Sequence, residues 1–174
     1  MVKKVLLILS VITALSGTAS AQILKNTWIV NPQISGFNLG STHTRETGNE
    51  TFDLGLQVET GNFIANNLLF YVGVGGNFSW NKEYRDNNID LNVGIRYYTL
   101  TTLFIGVNTG YTHAWYKPKD ESSACDDYLY VGAELGYAIF VSHNISLDPA
   151  LYWKHSFTDQ LDQYGLKVGL SVYF

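Results

Sequence analysis

The stretch Gly165–Phe174, "GLKVGLSVYF", decides how the chain is read. Leu166, Val168, Leu170, Val172 and Phe174 occupy every second position, and Lys167, Gly169, Ser171 and Tyr173 lie between them. A period of two places one set on one face of a β-strand and the other set on the opposite face. Strand propensity agrees, because β-branched and aromatic residues suit a pleated surface.

The same pattern recurs toward the N-terminus. Alternation with an apolar face runs through residues 52–58, 70–80, 89–97, 103–111, 129–137 and 145–153. An earlier segment, Trp28 to His43, keeps no single phase: Ile34 and Phe37 fall on opposite faces, near Pro32 and Gly36. A bulge is expected there, since proline cannot donate to a ladder, and Pro149 predicts a second one. With the closing stripe this makes eight strands.

Composition agrees with an all-β chain of one domain: Gly 16, Tyr 12, Pro 3, 46% hydrophobic and 15% charged. The start reads as a secretory signal over residues 1–21, with Lys3 and Lys4, the apolar run "VLLILSVITAL" and the small residues "ASA". That run is shorter than the ~20 apolar residues a membrane helix needs. The expected mature domain is 22–174. It begins at Gln22, so the acylated cysteine of a lipoprotein is not there. Without Lys3 and Lys4, nine basic residues face fifteen acidic ones, a net charge of −6. This excludes the basic stripe of a nucleic-acid binder. Cys125 is the single cysteine and can form no internal disulfide.

The connections alternate in length. Residues 43–50, 81–88, 117–127 and 156–162 are polar and longer, 99–102 and 142–144 are tight, and 60–67 is intermediate. Short turns at one end and long loops at the other mark an outer-membrane barrel. The expected fold is therefore an eight-stranded antiparallel up-and-down transmembrane β-barrel, localised in the cell outer membrane after export through the Sec pathway and the periplasm.

Three features favour lipid, not a ligand cavity, against the apolar faces. They hold no charge between their ends. Their aromatics gather at two levels although the chain reverses at every turn: Phe52, Phe78, Trp80, Trp115, Trp153 and Tyr164 at the outer rim, and Phe70, Tyr97, Tyr137 and Phe174 at the inner rim. Aromatic girdles of this kind sit at headgroup level. The opposite face mixes glycine with tyrosine, as a narrow filled lumen requires. Arg96, Glu134, Asp148 and Lys167 are the inward charges expected to form a buried ion-pair network.

The chain resembles the small porin-like outer-membrane β-barrel proteins of Bacteroidetes-type bacteria. The resemblance is carried by "KNTWIVNP", "GIRYYTL", "ELGYAIFVSHNISLDPALYWKHSF" and "YGLKVGLSVYF" and covers nearly all of the mature chain. It implies the fold, the compartment and insertion by the barrel-assembly machinery, and it implies no settled activity. The ending also resembles the signal which that machinery reads, here Lys167, Gly169, Val172 and Phe174, with Val172 where an aromatic is frequent.

No phosphate loop, nucleophile elbow or metal cluster appears in the sequence, and no cofactor is expected. His43, His113 and His155 fall near the outer rim. "WKHSF" sets His155 beside Ser156, but adjacent strand residues face opposite sides, and no acid stands at an obvious companion position. The leading reading is a monomeric, non-enzymatic surface barrel in contact with outer-membrane lipids and lipopolysaccharide. Loops 81–88 and 117–127 would meet an extracellular partner. A narrow porin, a lipid A-modifying enzyme and a soluble ligand-binding barrel are the alternatives. Deleting Phe174 is expected to lower the amount of heat-modifiable barrel far more than it lowers synthesis, as read by gel mobility; normal levels would refute the assembly signal.

Overall fold

The computed structural model describes residues 23–35, 52–80, 84–99, 102–118, 124–158 and 162–174. The expected signal segment, the part of the first segment beyond Ser35 with His43, and the expected connection 43–50 lie outside them. Among the described residues the regular structure is all strand. The strands are β1 (Trp28–Ser35), β2 (Phe52–Ala65), β3 (Leu68–Trp80), β4 (Tyr84–Thr99), β5 (Leu103–Pro118), β6 (Ala124–Tyr137), β7 (Ile139–Ser142), β8 (Ile145–Ser156) and β9 (Asp162–Tyr173).

Consecutive strands pair antiparallel except β6 and β7, which both pair with β8, and the sheet closes on itself. β6 and β7 are two parts of one stave. Gly136 pairs with Ala150 of β8, Ile139 pairs with Leu147, and the register between them is uninterrupted. The barrel therefore has eight staves. The final seam joins β9 to β1, from Ile29 opposite Tyr173 to Ser35 opposite Lys167. Beyond the last pair, Trp28 N–H donates to Phe174 O at 2.8 Å and Phe174 N–H returns to Trp28 O at 3.0 Å.

Pro149 does not make the expected bulge, and β1 carries no shift at Pro32; the phase change between Ile34 and Phe37 lies outside the described residues. β1 runs opposite β2 without a shift from Trp28↔Asn62 to Ser35↔Gly55, and β8 runs opposite β9 without a shift through Pro149↔Val168. Each proline instead lies where the other flank is interrupted. The seam pairs skip Asn31 and Pro32, and the handover from β6 to β7 lies across from Pro149. A missing N–H costs one rung on one side and leaves the extended backbone intact.

The connections are also shorter than the sequence suggests. Residues 60–65 belong to β2, so the β2–β3 turn is Asn66–Asn67, with Asn67 at φ 64°. Asparagine tolerates this left-handed conformation better than most residues. Residues 84–88 belong to β4, 117–118 to β5 and 124–127 to β6. The two 16-residue strands β4 and β5 stay paired up to Tyr84↔Pro118.

Alternation decides the burial of every stave. Leu56, Val58, Val72, Val74, Leu91, Val93, Ile105, Val107, Leu151 and Leu166 are exposed on the outer face. Tyr71, Tyr98, Phe63, Leu69, Phe104, Ile29 and Tyr173 are buried in the lumen. Phe63, Tyr98 and Phe104 pack in succession as tilted rings, with ring centroids 5.5 and 5.3 Å apart. The segment before β1 folds beneath them. Ile23 is buried in this cluster, its N–H bonded to Asn67 Oδ1 at 3.1 Å and its carbonyl accepting Asn67 N–H at 3.0 Å.

An exposed apolar belt and a buried polar lumen invert the arrangement of a water-soluble domain. Leu151→Arg, at the middle of β8 on the outer face, is expected to destabilise the barrel refolded in lipid vesicles by about 2–4 kcal/mol in urea titrations.

Candidate functional site in the lumen

Four charged side chains from four strands meet inside the barrel. Arg96 of β4 reaches Glu59 of β2 through Nη2 at 2.8 Å and Glu134 of β6 through Nε at 2.6 Å. Lys167 of β9 reaches Glu134 at 2.7 Å and Glu59 at 3.6 Å. The result is a closed ring of alternating sign: Glu59, Arg96, Glu134, Lys167. The Arg96 and Glu59 side chains are 1% and 2% exposed. Bulk water does not screen charges at that depth, so the partners must compensate one another.

Two local features let these groups meet. Gly106 of β5 pairs with Arg96 on one side and Glu134 on the other, and a Cβ there would collide with Glu134 Oε1. Leaving that position bare lets the two side chains reach each other across β5. The guanidinium also lies over the rings of Phe104 at 4.6 Å and Tyr71 at 5.0 Å. Cation–π contact of this kind suits a desolvated arginine. Tyr71 OH donates to Glu134 Oε1 at 3.4 Å and accepts from Asn108 Nδ2 at 3.3 Å.

Asp148 does not join the ring, contrary to the sequence expectation. Its carboxylate accepts from Ser146 Oγ at 2.6 Å and from Ser171 Oγ, and Ser146 Oγ lies 3.2 Å from Tyr173 OH. Glu59 takes the ring position expected of Asp148. Its inward phase is readable from the sequence, but its level relative to Arg96 is set by the stagger of the staves. A second polar pair sits apart from the ring: Lys154 Nζ is 3.4 Å from Asp90 Oδ2 and 4.6 Å from the Tyr130 ring centre, and Tyr130 OH donates to Asp90 at 2.8 Å.

On the outer face each described rim histidine has an acid directly across the ladder, which the sequence reading missed. His113 Nδ1 is 2.5 Å from Asp127 Oδ1 and His155 Nδ1 is 2.9 Å from Asp162 Oδ1, and both are register pairs. Asp162 also accepts from Trp153 Nε1 at 3.1 Å. The acids lie 14 and 7 residues along the chain, across hairpins, so spacing within one strand could not reveal them. Ser156 is buried and faces the lumen, away from His155. Among the described residues no group of three or more His, Cys, Asp or Glu could hold a metal ion.

The other residues singled out by sequence take these positions. Phe70, Tyr97, Trp153, Tyr164 and Phe174 are exposed on the outer face, and Phe78, Trp115 and Tyr137 are half-buried. Phe52 and Trp80 are paired at the ends of β2 and β3, and their side chains lie outside the description. Trp28, 53% exposed beside Phe174, is a further outward aromatic that the sequence reading left out. Gly169 and Val172 lie in the seam, and Val172 pairs with Val30.

The barrel is similar to the crystal structure of Ail, the attachment invasion locus protein of Yersinia pestis, at 11% identity and TM-score 0.58, covering 87% of this chain and all of that one. It is similar to the N-terminal β-barrel domain of Pseudomonas aeruginosa OprF, at 11% identity and TM-score 0.56, covering 86% and 98%. A third similar structure is Neisserial surface protein A, at 13% identity and TM-score 0.54, covering 85% and 97%. The fold is thus that of the eight-stranded outer-membrane β-barrels. The sequence matches no protein-family model and no curated protein.

Arg96→Met leaves Glu59 and Glu134 beside a single lysine and is expected to cost about 3–5 kcal/mol of stability. Asp148→Asn, which keeps a serine-bonded oxygen, is expected to cost less, about 1–3 kcal/mol. Urea unfolding of both variants against the parent chain checks the order.

Proposed function

We propose that this chain is an integral outer-membrane protein without enzymatic activity, acting as a monomer at the cell surface. The observation that carries the reading is the pairing of an apolar outer belt with a lumen filled at the level of the ion ring. A filled interior makes the barrel an anchor in place of a conduit, as eight-stranded barrels generally allow. Its apolar belt meets outer-membrane lipids and lipopolysaccharide. The barrel-assembly machinery inserts it, reading Lys167, Gly169, Val172 and Phe174. The narrower likeness to Bacteroidetes-type barrels, and export by way of a signal over 1–21, rest on the motifs quoted above.

The partner surface proposed is the loop end, through residues 81–88 and 117–127. A membrane strand needs about 9–11 residues, and β4 and β5 have 16 each. The surplus is a paired ribbon at the loop end, a stiff platform for contacts. In planar bilayers the purified protein is expected to give no stable conductance steps. Reproducible steps would overturn the closed-lumen reading in favour of a narrow porin.

A lipid-modifying enzyme is the second reading, favoured by the two histidine–aspartate pairs on the outer face. A dyad of this kind orients an imidazole as a base. The outward neighbours of His155 across the ladders are Val131 and Asp162, so no serine stands beside it. Lipid A mass spectra from cells with and without the chain are expected to be identical, and a mass difference would install the enzyme reading.

A further inference from the structure

The apolar belt is dented at the closing seam. A groove of about 680 Å³ lies on the outer face across β3, β2, β1, β9 and β8. Pro32 lines its middle, with Val58 and Val74 on one side and Leu170 and Leu147 on the other. The ladder makes these one row. Val74 pairs with Val58, Val58 with Pro32, and Leu147 with Leu170. The seam register brings position 32 across from Leu170, between the pairs Val30↔Val172 and Gln33↔Gly169. All five residues are exposed on the outer face. A proline ring closes on its own backbone nitrogen and stands lower than the valine and leucine side chains beside it. The row is therefore low at the seam and high on both flanks.

The depth of the groove follows from the inner rim. Trp28 and Phe174, both exposed, close the seam at the end that carries the tight turns. Pro32 lies four residues along β1 from Trp28, and Ile34, also in the lining, lies six. At a rise of ~3.3 Å per residue and a tilt of ~40°, they stand ~10 and ~15 Å above that rim. The hydrocarbon layer is ~30 Å thick, so the groove is centred in the half next to the tight turns.

We propose that this groove holds one acyl chain of a phospholipid from the periplasmic leaflet. The inference rests on the reading of the apolar belt as lipid-facing, and it adds a place where lipid is held longer than elsewhere on that belt. None of the lining residues is charged, so the occupant is apolar where it touches the wall. A second copy would meet this face across a two-fold axis with the same groove, concave against concave. Apolar surfaces gain nothing by leaving hydrocarbon for one another, so association in lipid needs close packing, which two facing grooves lack. A flexible chain follows a concave wall and fills it. Rooted at the inner rim, such a chain passes Pro32 and ends beside Ile34 near the midplane. Lys25, exposed before β1 with its backbone N–H bonded to Asn66 of the β2–β3 turn, puts a cation at the rim where the lipid phosphate lies.

The test is NMR of the folded barrel in nanodiscs of palmitoyl-oleoyl phosphatidylcholine. The protein is deuterated except at its leucine and valine methyls and its exchangeable N–H groups. Nuclear Overhauser effects from the lipid chains are the readout. They are expected to be severalfold stronger at Val58, Val74 and Leu170 than at Val93 and Val107, which are exposed on the β4–β5 wall. The terminal chain methyl is expected to reach Leu56, and the methylenes next to the ester the Trp28 indole N–H. Pro32→Leu raises the floor and Val74→Phe narrows the groove from its flank, and each is expected to lower the signals to the level of the β4–β5 wall. Heat-dependent gel mobility identifies folded variants, and either one suffices for the comparison. Equal signals on both walls of the parent would overturn the groove and leave the belt evenly lipid-facing. Unchanged signals in a folded variant would overturn it too. The reverse order along the chain would overturn the periplasmic source, and an absence of lipid signals from both walls would overturn the lipid-facing belt together with the groove.

Discussion

A sheet whose outer face meets hydrocarbon has no water to satisfy its edge, so the ladder must return on itself. Closure through β1 and β9 is the constraint on which the rest of this structure depends. It explains why the last apolar stripe pairs with the first strand and why β2 to β9 meander without a crossover. It also explains how two prolines are carried at little cost. Each sits where one flank of the ladder is interrupted, and its other flank stays in register. Such a gap removes one rung and opens no edge.

Closing a narrow barrel creates an interior that must then be filled. Here the filling is layered. The aromatic cluster of Phe63, Tyr98, Phe104 and Tyr173 packs with Ile23 beneath it, and the ring of Glu59, Arg96, Glu134 and Lys167 joins staves that are not neighbours. The ring also penalises misregistration. A slip of β2 by one residue would turn Glu59 to the outer face and leave Arg96 with one acid, a double penalty in low dielectric. The bare position at Gly106 shows how the smallest residue supports the largest interaction, since its two ladder partners are the arginine and the glutamate that must touch.

The outer surface follows a different logic. It is apolar along the belt and turns polar through the histidine–aspartate pairs, where Trp153 stacks on His155 with centroids 6.0 Å apart and shares Asp162 with it. An aromatic ring with a polar tip suits a boundary between hydrocarbon and water, and a carboxylate directly across the ladder gives each imidazole a fixed partner. The same alternation that builds the belt therefore builds its rim.

Outside the first stave, the sequence by itself determined the face that strand residues take, and it determined the number of staves, because a period of two is a local property. Lys167 and Leu166 could be assigned to opposite sides from their neighbours alone. So could Glu59, whose inward phase was legible although its role was not. The tertiary structure decided which inward residues share a level. Staves in a barrel are staggered by shear, so height along one strand says little about height along another. That is why Glu59, and not Asp148, completes the ring, and why Asp127 and Asp162 stand opposite His113 and His155. Facing is written in one strand, whereas meeting across a lumen or a hairpin requires the closed barrel.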